Sequence, residues 1–210
     1  MQDAKQILAL GAHPDDLELG CGATLAKLVD RGAQVTAVIL SDGCIGADLG
    51  FDRGAETRDA LAALGVQQII QHDFPDTRLH EHLNGLIATI EQHVREVAPE
   101  RVYTMFHDDR HQDHRAVYQA SIVACRRVAQ ILAYETPSSY PNFVPTVFEP
   151  VDEYIERKVE ALKLHRSQGD RLYMHEEKIR SAAHFRGVQV DLGQTEGFIP
   201  YKLVLSGKVA

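Results

Sequence analysis

Short apolar runs recur along this chain between longer stretches whose apolar residues fall at helical spacing, and each run stops at a breaker. Ile7–Ala12 is the first run and predicts a buried strand. Leu17–Arg31 follows with Leu17, Leu25, Leu28 and Val29 at helical spacing. Gln34–Leu40 predicts the second strand, giving a βαβ unit that should be right-handed. Residues 44–53 are glycine-rich and irregular, expected as a loop over the strand ends. Ala55–Leu64 predicts a helix stopped by Gly65. Gln67–Gln71 reads as a third strand and residues 72–76 as the loop behind it. Leu83–Val97 is amphipathic and halts before Pro99. Arg101–Phe106 predicts a fourth strand, Ala116–Val128 a helix and Gln130–Tyr134 a fifth strand.

The rhythm changes after Tyr134. Residues 135–145 carry three prolines and read as an extended loop. Thr146–Glu149 suits an edge strand. Asp152–His165 predicts a helix with Asp152 as its N-cap, and Leu172–Phe185 another. Residues 197–205 predict a closing strand. No repeat or linker divides residues 1–210. The fold expected is a single α/β domain, a Rossmann-like, doubly wound, mostly parallel sheet with a modified C-terminal third.

Composition narrows the partners. A net charge of −8 argues against nucleic-acid binding and against an anionic membrane surface. No apolar run approaches the roughly 20 residues that cross a bilayer. The N-terminus lacks the layout of a secretion signal. Three scattered cysteines, Cys21, Cys44 and Cys125, form no CxxC pair, which fits a reducing, cytoplasmic setting. Cys21 reads as a small buried hydrophobe in preference to a metal ligand.

Chemistry collects where two strands end. His13-Pro14-Asp15-Asp16 closes the first strand, at the sheet edge where open α/β proteins bind ligands. A histidine and a carboxylate there suit zinc, and a second carboxylate can act as a base on metal-held water. The same residues also serve as a helix cap and a turn. The fourth strand ends near His111-Gln112-Asp113-His114, whose histidines share a helix face with an acid between them that can steer an imidazole. A solvated charged loop is the plainer reading of that block. Gly20-Cys21-Gly22 comes too late to make the phosphate-cradling turn of a dinucleotide site.

Ala12-His-Pro-Asp-Asp16, His111-Gln-Asp-His114, and a tail with His165-Arg-Ser-Gln168, Arg186-Gly187 and Glu196-Gly-Phe198 resemble the LmbE-like (PIG-L) deacetylase family. The resemblance implies a Rossmann-like fold and a zinc-dependent amidase that removes acetyl from N-acetylglucosamine-type substrates. It implies His13, Asp16 and His114 as ligands of one Zn2+ and Asp15 as general base. His111 would stabilise the oxyanion or donate a proton, with Asp113 tuning it. Arg53, ahead of Leu64-Gly65, would grip substrate hydroxyls. In this chain the family glutamate is displaced to Glu18, and Glu-Gly-Phe198 replaces a common Glu-Ala-Phe.

His165 either approaches the site or caps a helix C-terminus as a cation. The remaining histidines read as surface or packing residues. An alternative chemistry on the same metal is addition of water to a double bond, as a hydratase or lyase. The resemblance implies any state from a monomer to a homo-oligomer as large as a hexamer, so Tyr140, Phe143 and Val144 are candidates for an interface or a lid.

Overall fold

The computed structural model describes residues 4–46 and 50–204. Strand β1 (Gln6–Gly11) is buried from Ile7 onward, because helices cover both faces of the sheet around it. Each fully buried Ile or Leu in it contributes about 1.5–3 kcal/mol. Helix α1 (Asp16–Asp30) leads to β2 (Gln34–Ser41), then α2 (Arg53–Ala63), β3 (Gln68–Phe74), α3 (Leu83–Val97), β4 (Arg101–Met105), α4 (Gln112–Ala124) and β5 (Gln130–Tyr134). After β6 (Val147–Pro150) come α5 (Ile155–Lys163), α6 (Glu176–Val188) and β7 (Thr195–Leu203).

The sheet order is β3-β2-β1-β4-β5-β7-β6. The first five strands run parallel, and β7 pairs antiparallel with both β5 and β6. Strand order reverses between β1 and β4, so the crevice at their carboxyl ends is the topological switch point. Helices α1, α2 and α5 pack together, and α3 packs on α4. Right-handed crossovers put these two groups on opposite faces. A smaller cluster of Ile155, Val159, Leu162, Met174, Ile179 and Ala183 joins α5 to α6.

Several expectations shift. Strand β3 runs on through His72-Asp-Phe74, because an edge strand tolerates polar side chains that read as loop. Helix α4 begins at Gln112, four residues early, since its polar first turn carries no apolar signal. Helix α2 starts at Arg53, inside the expected loop. Residues 47–49 of that loop, and residue 205 of the expected last strand, lie outside the described residues. Asp152 does not cap α5. Its Oδ1 accepts the Gln194 N–H at 2.8 Å, and the helix starts at Ile155. Leu172–Met174 is a separate 3-10 turn ahead of α6. Phe143 is buried against Phe106 and Ala133, whereas Tyr140 and Val144 are exposed. Among the described residues no helix is long and apolar enough to cross a membrane.

Candidate active site

The β1–α1 junction is bent around one carboxylate. Asp16 Oδ2 accepts the N–H groups of Ala12 at 3.0 Å and His13 at 2.7 Å. This pins the turn and leaves Asp15 at φ 97°, a left-handed conformation that costs a non-glycine residue about 1–3 kcal/mol. The two adjacent acids diverge. Asp16 faces His114, with Oδ1 3.3 Å from Nε2, while Asp15 Oδ2 meets Arg53 Nη2 at 3.3 Å.

Sequence reasoning missed how the imidazoles are held. His13 Nε2 lies 3.1 Å from Asp113 Oδ2 and 3.2 Å from Asp76 Oδ1. His114 Nδ1 lies 3.1 Å from Asp109 Oδ2. Each ring is held by acids at one nitrogen, so the other, His13 Nδ1 and His114 Nε2, is turned towards Asp16 at 3.5 and 3.3 Å. The Asp113 carboxylate therefore acts on His13, and its Oδ1 also accepts the Leu79 N–H at 3.0 Å. Only the Asp113 backbone N–H reaches His111, at Nδ1 and 3.3 Å. That bond fixes the proton of neutral His111 on Nε2 and makes Nε2 a donor. His111 stacks on His114 with centroids 4.7 Å apart, and the rings of His13, His111 and His114 bring nitrogens within 4.8 Å of one another.

The donor set fits a metal ion. Two ligands bound at about 2.0–2.1 Å to a tetrahedral ion stand roughly 3.3–3.4 Å apart. Asp16 meets the two imidazole nitrogens through different oxygens, Oδ1 to His114 Nε2 at 3.3 Å and Oδ2 to His13 Nδ1 at 3.5 Å, each near that spacing. Acids on the far side of each imidazole are the usual support of metal-ligating histidines.

Electrostatics follow the same contacts. Burial depresses His114, but Asp16 and Asp109 outweigh it and raise its pKa to about 9. Burial likewise opposes charge on His13, yet Asp113, Asp16 and Asp76 hold it well above 6.5. Asp15 is pushed up to about 6 by burial and by the Asp16 charge, partly offset by Arg53. Burial and the neighbouring His13 and His114 lower His111. Arg53 donates to the carbonyls of Gly43 (2.8 Å) and Pro14 (2.7 Å), and its Nε–H is buried without a protein partner. His13, Asp15, Asp16, Arg53, Asp76, His111 and His114 line one cleft of about 370 Å3, shared with Arg110, Gln168, Arg171 and Tyr173.

Residues 8–125 match the family described as PIG-L, GlcNAc-PI de-N-acetylase. This chain belongs to the PIG-L family. An Escherichia coli relative named "Uncharacterized deacetylase YaiS" is 52% identical over 169 residues, covering 78% of this chain and 91% of its own. A Bacillus cereus relative named "Probable N-acetyl-alpha-D-glucosaminyl L-malate deacetylase 2" is 27% identical over 187 residues, with coverage of 78% and 84%. The crystal structure of N,N'-diacetylchitobiose deacetylase from Pyrococcus horikoshii superposes with a TM-score of 0.79 at 25% identity, covering 94% of this chain and 84% of its own. The protein is thus a PIG-L deacetylase, a hydrolytic enzyme acting on an N-acyl bond.

Of the tail residues that carry the family resemblance, Gln168 lines the cleft, while His165 and Ser167 pack behind it. His165 does not cap a helix; its Nε2 lies 3.0 Å from Glu18 Oε1, and both side chains are buried. Ser167 gives its N–H and hydroxyl to Glu56 at 2.9 and 2.6 Å. The displaced glutamate, Glu18, thereby anchors the tail to α1. His93 is buried against His72, with their Nε2 atoms 2.8 Å apart, a packing role.

Proposed function

We propose that this deacetylase is zinc-dependent and removes the acetyl group from an N-acetylated amino sugar of the N-acetylglucosamine type, releasing acetate and a free amine. The observation that carries this reading is the pair of acid-held imidazoles facing one carboxylate, Asp16, with a second buried carboxylate, Asp15, left over beside them. His13, Asp16 and His114 would hold the ion. When bound, zinc supplies Lewis acidity, bringing the pKa of a coordinated water near 7 and polarising the amide carbonyl.

The remaining work falls to side chains. Asp15, tethered by Arg53, takes a proton from the attacking water as its oxygen bonds to the acetyl carbon. His111 Nε2–H donates to the carbonyl oxygen as negative charge develops there, a contact whose loss costs about 2.7–4 kcal/mol in other enzymes. Asp113 supports this indirectly, through its N–H on His111 and its carboxylate on His13. The C–N bond then breaks, and the amine nitrogen leaves with the proton that Asp15 had taken. Arg53, which lines the cleft, would grip a substrate hydroxyl.

Sugar conjugates named for two relatives, diacetylchitobiose and N-acetylglucosaminyl malate, support an amino sugar as substrate. The unpaired cysteines support a cytoplasmic setting. Hydration of a double bond gains no feature of its own among the described residues. The test is acetate release from a panel of N-acetylated sugars by zinc-loaded protein. D15N should keep its metal and lose about 10²–10⁴-fold in rate. Undiminished turnover in D15N would remove Asp15 as the base, and no acetate from any sugar would overturn the substrate class.

A further inference from the structure

Beside the catalytic cleft lies a second cavity of about 250 Å3, between α6, β7 and the start of α1. Leu19, Thr136, Pro137 and Tyr173 line both hollows and form the wall between them. The hydrolysis described above uses nothing on the far side of that wall.

The cavity's surface is set by how its charges are spent. Lys158 Nζ bonds Glu196 Oε1 and the Leu19 carbonyl, each at 2.7 Å. Arg186 makes a two-pronged pair with Glu135, at 2.7 and 2.6 Å. Lys178 lies 3.2 Å from Glu177 on the solvent side. With those charges paired, and the Thr136 and Thr195 hydroxyls given to Asp109 and the Gly193 carbonyl, the surface left to a ligand is mainly aliphatic and aromatic: Leu19, Pro137, Tyr173, Ile179, Ala182 and Ala183. An apolar cavity of about 150 Å3 is large enough for benzene. On that scale 250 Å3 suits a chain of about six to eight carbons.

We propose that this cavity is a subsite for an aliphatic chain carried by the amino-sugar substrate, reached from the catalytic cleft past Tyr173. The proposal rests on the deacetylase reading of the adjoining cleft. The chain has two possible sources, the N-acyl group itself or an alkyl aglycone. In either case water supplies oxygen to the acyl carbon and protons to the products as the amide bond breaks.

Two substrate series separate the sources. One lengthens the acyl group of glucosamine from acetyl to butyryl to hexanoyl. The other lengthens the aglycone of N-acetylglucosamine from methyl to hexyl to octyl. In one series kcat/KM should rise about three- to fourfold per buried methylene until the cavity fills. Ala182 lines the cavity yet is exposed at the surface, so A182F should fill it without disturbing the core. In A182F the ratio of long-chain to short-chain kcat/KM should fall towards one. Flat or falling profiles in both series, or a ratio unchanged by A182F, overturn the subsite. Calorimetry reads it without turnover, with the octyl and methyl glycosides as probes. Tighter octyl binding that A182F abolishes supports an aglycone subsite, as does the same pattern with the N-hexanoyl sugar for an acyl one. Equal binding of long and short members in both series overturns the proposal. Failure to release acetate from any sugar would instead strike the function on which it rests.

Discussion

Replacing Glu196 by alanine should cost far more than the loss of one ion pair at a surface. Helix α1 is broken at Cys21, whose φ −145° and ψ 18° leave the helical region. The N–H groups of Ala23 and Thr24, which an unbroken helix would give to Leu19 and Gly20, are stranded by the break. Glu196 accepts both, at 3.2 and 2.7 Å. The stranded Leu19 carbonyl is taken by Lys158 Nζ, and Lys158 closes the loop on Glu196. One buried pair therefore repairs both sides of the kink and ties β7 and α5 to α1.

Removing one member of a buried pair costs about 3–5 kcal/mol. At about 2–4 °C per kcal/mol for a domain of this size, E196A should lower Tm by roughly 6–20 °C. The double variant K158M/E196M discriminates. An ordinary buried salt bridge replaced by apolar residues is neutral or even stabilising. Here two buried N–H groups stay orphaned at about 1–3 kcal/mol each, so the double variant should remain at least about 2 kcal/mol below wild type. Urea unfolding followed by circular dichroism measures wild type, E196A and the double variant. A double variant as stable as wild type, or an E196A loss under about 1 kcal/mol, would refute the kink-repair account.

Asp109→Asn removes the acid on His114 Nδ1 and should weaken metal affinity about 10–100-fold, read by competition with a chromophoric chelator; unchanged affinity would deny Asp109 its supporting role. Gly20→Ala would place a Cβ 2.0 Å from Tyr134 Cδ2, so its unfolding free energy should fall by about 1–3 kcal/mol or more, and a silent substitution would show that the Tyr134 ring can yield. Burial lowers the His165 pKa, but Glu18 more than offsets this and holds it above 6.5. A raised pKa contributes stability that is fully present below the unfolded value and lost as pH rises through the folded one. The stability gap between wild type and H165Q should therefore be widest below about pH 6.5 and narrow at more alkaline pH, by urea titrations across that range. A gap independent of pH would mean that His165 acts by packing alone.

What the sequence made legible was local. Ile7–Ala12 and Arg101–Phe106 each announce a strand by apolar run and a site by the ionisable block that follows. Parallel pairing then aligns their carboxyl ends at the switch point. Asp76 and Asp109 were not legible as supports, because a carboxylate that steers an imidazole carries no mark of its partner. Asp76 reaches His13 from another strand end, and Asp109 sits among charges that read equally well as solvated loop. Asp113 was legible as an orienting acid but not as one aimed at His13, a hundred residues away. The kink in α1 was hidden for the same reason, since Glu196 acts on Thr24 across 172 positions. Its local trace was Gly20-Cys21-Gly22, which suggested a nucleotide loop and had to be refused on spacing.

The tail then takes on a meaning that motif matching alone does not supply. His165 holds Glu18 at the front of α1, and Glu196 with Lys158 holds Leu19, Ala23 and Thr24 just behind it. Asp16, the carboxylate that faces both imidazoles, is the first residue of that same helix. Loosening either tail contact should therefore let the Asp16 carboxylate drift from His13 and His114. The tail is bound to the His-Pro-Asp-Asp block through the seating of one short, broken helix.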